Sequence, residues 1–330
     1  VKPRLKPQLK SLREQVIVIT GASSGIGLAT AYAAAGKGAR VVLAARNGDA
    51  LDRVAAEIRA QGGDALPVVA DVARRADVDA VADAAIAAYG GFDTWVNNAG
   101  VGIFGRLDQV SEAEHRRVFD VNYWGVVHGS MAAVQHLRLR GGVLVNLGSV
   151  LSEVAVPLQG PYAASKAAVR GFTDALRHEL LAEGAPVRVS LVKPAAIDTP
   201  FPQHARNHMD REPKLPPPLY PPEQVAAAIL QAAEQGGRDY LVGSAAPAIL
   251  AAGRLAPGLV DVAASWLAPP MQRRRTAPTS PVEGNLFEPM ADGEMYAPPP
   301  PPAPPVQKVP LAALAVLVAA GLASVLGRRG

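Results

Sequence analysis

The sequence contains no cysteine among its 330 residues, which excludes disulfides, thiol catalysis and thiolate metal sites. It lacks a strong charge of either sign. The net charge is +4, so nothing global argues for nucleic acid as a partner. No apolar run precedes Val16, which argues against a secretory signal. No internal repeat of fixed period recurs. The basic residues are uneven: at the start Lys2, Arg4, Lys6, Lys10 and Arg13 face Glu14 alone.

About half the chain is apolar (49%), enough for one large α/β core plus extras. Short β-branched runs fall at 16–19, 41–44, 66–69, 94–96, 143–147, 187–192 and 240–242. Helical stretches are predicted between them at 26–37, 50–61, 76–89, 112–136, 162–183 and 223–235. Nearly continuous apolar strands suit a parallel sheet covered on both faces. Their alternation with helices predicts βαβ units with right-handed crossovers. The expected fold is therefore α/β, a doubly wound parallel sheet of about seven strands with helices on both faces. Its expected span is 14–268, after a basic arm at 1–13.

The composition then changes. Residues 269–308 are rich in proline and polar residues, with Arg273, Arg274 and Arg275 together and a nearly unbroken proline tract at 298–305. Such a tract favours polyproline II and reads as a linker without a packed core. Residues 309–326 are uncharged and apolar, and a basic tail with Arg328 and Arg329 follows at 327–330. As a helix, those 18 residues reach about 27 Å, enough for a thin bilayer.

After the first strand comes Thr20-Gly21-Ala22-Ser23-Ser24-Gly25-Ile26-Gly27, and then a helix. Glycines allow the turn and a close approach to a pyrophosphate. The helix start offers N–H groups and a positive dipole end. That placement points to a nucleotide. The second strand ends at Ala44-Ala45-Arg46 without an acid, which would have repelled a 2′-phosphate. Arg46 suits such a phosphate, so the expected cofactor is NADP(H) rather than NAD(H). Asp71 either accepts from the adenine amino group or caps the next helix.

Tyr162 and Lys166 lie four apart on a predicted helix and share a face. An ammonium beside a phenol lowers its pKa from about 10, bringing it into range for proton transfer. By itself the pair also fits an ordinary amphipathic helix.

Taken together, the motifs of 14–245 resemble the short-chain dehydrogenase/reductase family. They are the glycine turn, Asp71-Val72, Asn97-Asn98-Ala99-Gly100, Asn122, Ser149, Tyr162-Ala163-Ala164-Ser165-Lys166 and the run from Pro194 to Thr199. Ser149 precedes Tyr162 by thirteen residues, the family's usual separation. The resemblance implies a Rossmann-type fold and hydride transfer between NADP(H) and an alcohol or carbonyl carbon. It implies Tyr162 as the acid or base and Ser149 as the residue steadying the substrate oxygen. It assigns Lys166 to the tyrosine pKa and the nicotinamide ribose, and Asn122 to a water that links Lys166 to solvent. Asn98, Ala99 and Gly100 would flank the cofactor, with Asn97 structural. Val121 fits either adenine or the core. Pro194, Ile197 and Thr199 would hold the carboxamide. The sequence departs from the family's usual proline-glycine at Pro194-Ala195, which tightens that wall of the pocket.

A nucleotide sensor or scaffold on the same fold would not need the Asn122, Ser149, Tyr162 and Lys166 set, so an enzyme is expected. Residues 201–222 should form a lid. Its Phe201, Met209, Leu215, Leu219 and Tyr220 suggest a lipophilic alcohol or ketone. His204 and His208 lie four apart, but no further pattern supports a metal. The 309–326 segment reads as a membrane anchor, an interfacial helix or a helix packed on a partner subunit. With the anchor, the catalytic domain would be membrane-associated on the cytoplasmic side; without it, soluble in the cytoplasm. The resemblance also implies a homo-oligomer built through the helices at 112–136 and 162–183.

Overall fold

The computed structural model describes residues 9–274, 280–290 and 293–297. The proline tract at 298–305 and the 309–326 and 327–330 segments lie outside the described residues, as does most of the basic arm.

All seven expected strands form. In chain order the elements are β1 (Val16–Thr20), α1 (Gly25–Gly36), β2 (Arg40–Ala45), α2 (Gly48–Ala60), β3 (Asp64–Val69), α3 (Arg75–Tyr89), β4 (Thr94–Asn97) and β5 (Ile103–Phe104). They continue with α4 (Glu112–Phe119), α5 (Gly125–Arg140), β6 (Gly142–Leu147), α6 (Gly160–Glu183), β7 (Val187–Pro194), α7 (Phe201–His204) and β8 (Arg206–Asn207). The last are α8 (Pro222–Gln235), β9 (Asp239–Val242), α9 (Ala246–Leu255) and α10 (Pro257–Met271).

The main sheet is parallel throughout, in the order β3-β2-β1-β4-β6-β7-β9. This is a doubly wound, Rossmann-type fold. The strand order reverses between β1 and β4, which opens a crevice at their carboxyl ends. All five residues of β1, Val16 to Thr20, are buried, because α1, α2 and α8 cover one face of the sheet and α3, α5 and α6 the other. Alternate β1 side chains divide between the two cores: Ile17 and Ile19 join one, Val16 and Val18 the other.

Local chemistry sets the helix limits. Asn47 caps α2 by accepting from the Ala50 N–H. Gly90 and Gly184 end α3 and α6 with left-handed backbone (φ 74° and 76°). Ser111 and Glu114 make a reciprocal capping box at α4.

Four features depart from the sequence expectations. The helix expected over 112–136 is two helices joined by a π-helical turn at Asp120–Trp124. The turn is compensated by the Asn122 side chain, which bonds both backbone groups of Val101. One extra residue per turn leaves the hydrophobic period almost unchanged, so patterning does not disclose it. The lid region also holds the short β8, paired with β5, which the sequence reading missed. At the front, Leu12 is buried in the core, so the folded body begins before residue 14. At the back, α10 runs to Met271, and the parts of the expected linker at 280–290 and 293–297 lie against the body with Leu286 fully buried.

Candidate active site

One cleft of about 380 Å³ runs along the carboxyl ends of the strands from the glycine turn to the lid. A volume of that order suits a small organic ligand. Of the expected cofactor residues, Gly21, Ser23, Ser24, Gly25, Ile26, Arg46, Asp71, Val72, Asn98, Ala99, Gly100, Pro194, Ile197 and Thr199 line it.

Thr20 and Gly27 do not line the cleft; they shape it from behind. The Thr20 hydroxyl accepts from the Asn98 and Ala99 N–H groups and donates to the Val96 carbonyl. The Asn98 amide donates back to the carbonyls of Thr20 and Gly21. A Cβ on Gly27 would stand 2.0 Å from the Gly21 carbonyl oxygen, so only glycine lets helix and turn meet this closely. Gly21 has φ +66°, and its Cβ would lie 2.8 Å from the Ala99 Cα. The turn thus brings backbone close to the start of α1, where a pyrophosphate would be cradled, with the Gly25 N–H donating to the Glu294 carbonyl. The residues fit a dinucleotide.

At the adenosine end, one Asp71 oxygen accepts from the Ala73 N–H and the other from Arg117 at 2.7 Å, and the N-cap of α3 is Arg74 rather than Asp71. Burial alone would raise the Asp71 carboxyl, but Arg117 and the Ala73 N–H hold it below its ordinary value. Arg46 donates to the backbone carbonyls of Asn285 (2.5 Å) and Phe287 (2.8 Å). These partners come from a segment read in the sequence as linker.

At the other end, α6 places Tyr162 and Lys166 one turn apart, and the ammonium lies 5.7 Å from the centre of the phenol ring. Ser149, just after β6, lines the cleft with Tyr162, pulls its phenol pKa downward and accepts from the Leu151 N–H. Lys166 is buried and donates to the Leu147 carbonyl at 2.8 Å. The expected lowering of the phenol does not hold in the protein alone. Burial pushes Tyr162 up to about 12, against the opposing pull of Ser149. Burial likewise pushes Lys166 down to about 8. At neutral pH Tyr162 is therefore a neutral phenol, the form that can give up a proton.

Asn122 is fully buried and off the cleft wall. Its amide also donates to the Ser165 hydroxyl, 3.0 Å away on α6. It ties the π-helical turn to the loop after β4 and to the helix carrying Tyr162. Asn97 lies in the core, accepting from Trp95 Nε1 and donating to Asn146 Oδ1. Val121 both lines the cleft and belongs to the core, so its two readings are compatible.

The 201–222 region closes the substrate end. The Phe201 ring lies 5.3 Å from that of Tyr162. Phe104, Leu158, Ala205 and Met209 form a buried cluster beneath it, against which Phe201 and Leu215 pack. His208 bonds Glu114 at 3.0 Å, apart from His204 on the cleft wall. Sequence reasoning missed Leu151, Val154 and Ile249 on the apolar wall, and Asn285, Pro289 and Met290 at the adenosine end. No motif marks these residues; they arrive by tertiary contact.

A doubly wound sheet with a glycine turn at its switch point, and a buried Ser-Tyr-Lys group in the same crevice, define a nicotinamide-dependent oxidoreductase. The comparisons agree. The family model described as short chain dehydrogenase matches residues 15–210. An uncharacterized oxidoreductase, YxnA, of Bacillus subtilis (strain 168) is 49% identical over 264 residues, 79% of this chain and 74% of that protein. A short-chain dehydrogenase/reductase from Burkholderia phymatum, solved in complex with NAD, is 31% identical with TM-score 0.66, over 83% of this chain and 99% of that one. An alcohol dehydrogenase from Thermococcus sibiricus, complexed with 5-hydroxy-NADP, is 30% identical with TM-score 0.60, over 69% and 95%. The chain belongs to the short-chain dehydrogenase/reductase family.

Proposed function

We propose that this chain is an NADP(H)-dependent oxidoreductase acting on a lipophilic alcohol or ketone, with Tyr162 as its proton donor and acceptor. One observation carries the reading: Tyr162, Ser149 and Lys166 line the same cleft as the glycine turn. A bound nicotinamide cofactor supplies or accepts the hydride. The protein's part is to hold the substrate and handle one proton.

Ser149 and Tyr162 together bind the substrate oxygen. In carbonyl reduction the phenol donates its proton to that oxygen, and in alcohol oxidation it takes one back. Lys166, as an ammonium, offsets the charge left on the phenol oxygen. Asn122 positions α6 through Ser165 and shares with Lys166 the path by which a proton returns from solvent. Arg46 at the end of β2, where no carboxylate stands, supports the 2′-phosphate. Phe201, Leu151, Val154 and Ile249 make the substrate end apolar.

The test is NADPH oxidation across a carbonyl panel with wild type and Tyr162→Phe. Retention of wild-type turnover by the variant on an accepted substrate sinks the assignment.

We further propose that the 309–326 segment attaches the enzyme to a membrane, with residues 298–308 as the spacer and the catalytic body on the cytoplasmic side. Among the described residues no helix is long and apolar enough to cross a membrane. Supporting attachment, α10 has no buried residue and exposes Leu259, Val262 and Trp266. Flotation with liposomes of the full chain, but not of a chain ending at 308, is the expected result. A homo-oligomer through α5 and α6 completes the proposal, and Trp124 and Leu181 are exposed on that side. Light scattering reports it directly.

A further inference from the structure

Residues 280–290 and 293–297, here called the strap, lie beyond the family match at 15–210, yet their backbone carbonyls are spent on the cofactor end of the cleft. Arg46 donates to the carbonyls of Asn285 and Phe287. The Asn47 side chain donates to Met290 O at 2.9 Å. Arg117, which also holds Asp71, donates to Leu286 O at 3.0 Å. The Gly25 N–H, at the start of α1, donates to Glu294 O at 3.0 Å. Each donor belongs to the adenosine end or the glycine turn, and each acceptor belongs to the strap.

The strap is anchored. Leu286 is fully buried in the core cluster that includes Val72, Val118 and Val121. The Asn285 N–H donates to His204 O at 2.7 Å, and the Tyr296 hydroxyl bonds the Glu223 carboxylate. Gly284, at φ +62°, allows the tight passage: its Cβ would stand 2.4 Å from His204 O.

One group breaks the pattern of satisfied contacts. Asn285 lines the cleft, and its side-chain oxygen is buried without a hydrogen-bond partner among the described residues. Buried acceptors left unpaired are rare because desolvation is then uncompensated. This one sits beside Arg46, where the adenosine half of a dinucleotide brings amino and hydroxyl hydrogens.

We propose that the strap is part of the dinucleotide site, with Asn285 Oδ1 accepting a hydrogen bond from the adenosine half while the Asn285 and Phe287 carbonyls orient the Arg46 guanidinium. This rests on the dinucleotide reading above. It adds a binding residue supplied by the far end of the chain.

The experiment is calorimetric titration of the full chain with ADP, which carries the adenosine half common to both nicotinamide cofactors, and with NADPH. Asn285→Ala weakens ADP about fivefold, the loss of one neutral hydrogen bond. Leu286→Asp undocks the strap and weakens ADP about tenfold or more, because several of these contacts go together. Wild-type ADP affinity in Asn285→Ala overturns the proposal even where Leu286→Asp fails to fold. Tighter binding by Leu286→Asp also overturns it, showing a competing strap. A wild-type protein that binds neither NADPH nor NADH brings down the dinucleotide reading as well. A wild type that binds, with an indifferent Asn285 variant, brings down this inference alone.

Discussion

The two ends of the cleft are built on different plans. Around Tyr162 the working groups come from β6, the π-helical turn and one face of α6, and Asn122 and Ser165 tie these together by buried hydrogen bonds. Around Arg46 the wall is finished by a strap from more than two hundred residues away in the chain, held by backbone carbonyls. The first plan gives precision through rigid elements. The second leaves the adenosine end to be set by a segment outside the family match.

The largest effect expected on the Tyr162 side is that of Tyr162→Phe. Steady-state assays should show a fall in kcat of about 10²–10⁴-fold, the usual worth of a positioned proton donor. NADPH affinity should stay near wild type, because the loss is confined to one end. A comparable loss of NADPH affinity would erase the contrast between the ends.

At the opposite end, Gly27→Ala should force α1 off the glycine turn. NADPH affinity should drop more than about tenfold, and chemical denaturation should show about 1–3 kcal/mol of lost stability. A variant that binds and unfolds like wild type would show that the turn tolerates a methyl.

The contrast extends to acid. Burial would raise the Glu114 carboxyl, but the Ser111 N–H and hydroxyl, Arg206 and His208 together hold it at about 2. A carboxylate whose pKa falls on folding stabilises above its unfolded pKa, near 4.5. That stability drains away as pH falls from about 4.5 to 2. About 3 kcal/mol is at stake by linkage. Because Arg206 opens β8, the lid should loosen before the adenosine end. Urea unfolding at stepped pH checks the total, and Glu114→Gln should flatten the dependence.

Arg46→Ala sharpens the other half. It should lower the preference for NADPH over NADH by about tenfold, in line with loss of a charge-assisted bond. An unchanged ratio would remove Arg46 from selectivity. The smallest effect is a pH limb. Lys166, pushed down to about 8 by burial, is an ammonium below that pH and neutral above it. The rate should therefore decline as pH rises through about 8, seen in kcat/KM for NADPH, which reports the free enzyme. A flat profile to pH 10 would mean that the ammonium form is not required.

Much of this was legible beforehand, unevenly. The seven strands showed as apolar runs because both sheet faces are buried. Tyr162 and Lys166 showed as a pair on one helix face, and Ser149 through the family resemblance that their motifs carry. The interruption of the 112–136 helix did not show, because Asn122 needs the Val101 backbone to explain it. The docked strap did not show either. Its proline content reads as linker, and one buried Leu286 with a row of backbone acceptors leaves no periodic trace. The phenol departs from its expected lowering for a related reason: a spacing of four reports a shared helix face but not the burial that pushes Tyr162 up.

The order of residues alone determined the sheet, the glycine turn and the helix face that carries Tyr162 and Lys166, because period and local backbone preference are written within short stretches of chain. Only the folded structure decided what presses on those groups: the desolvation of Tyr162 and Lys166, the grip of Arg117 on Asp71, and the strap over Arg46. Those depend on surfaces that meet across long sequence separations, and no local pattern encodes which distant backbone will arrive to exclude the water.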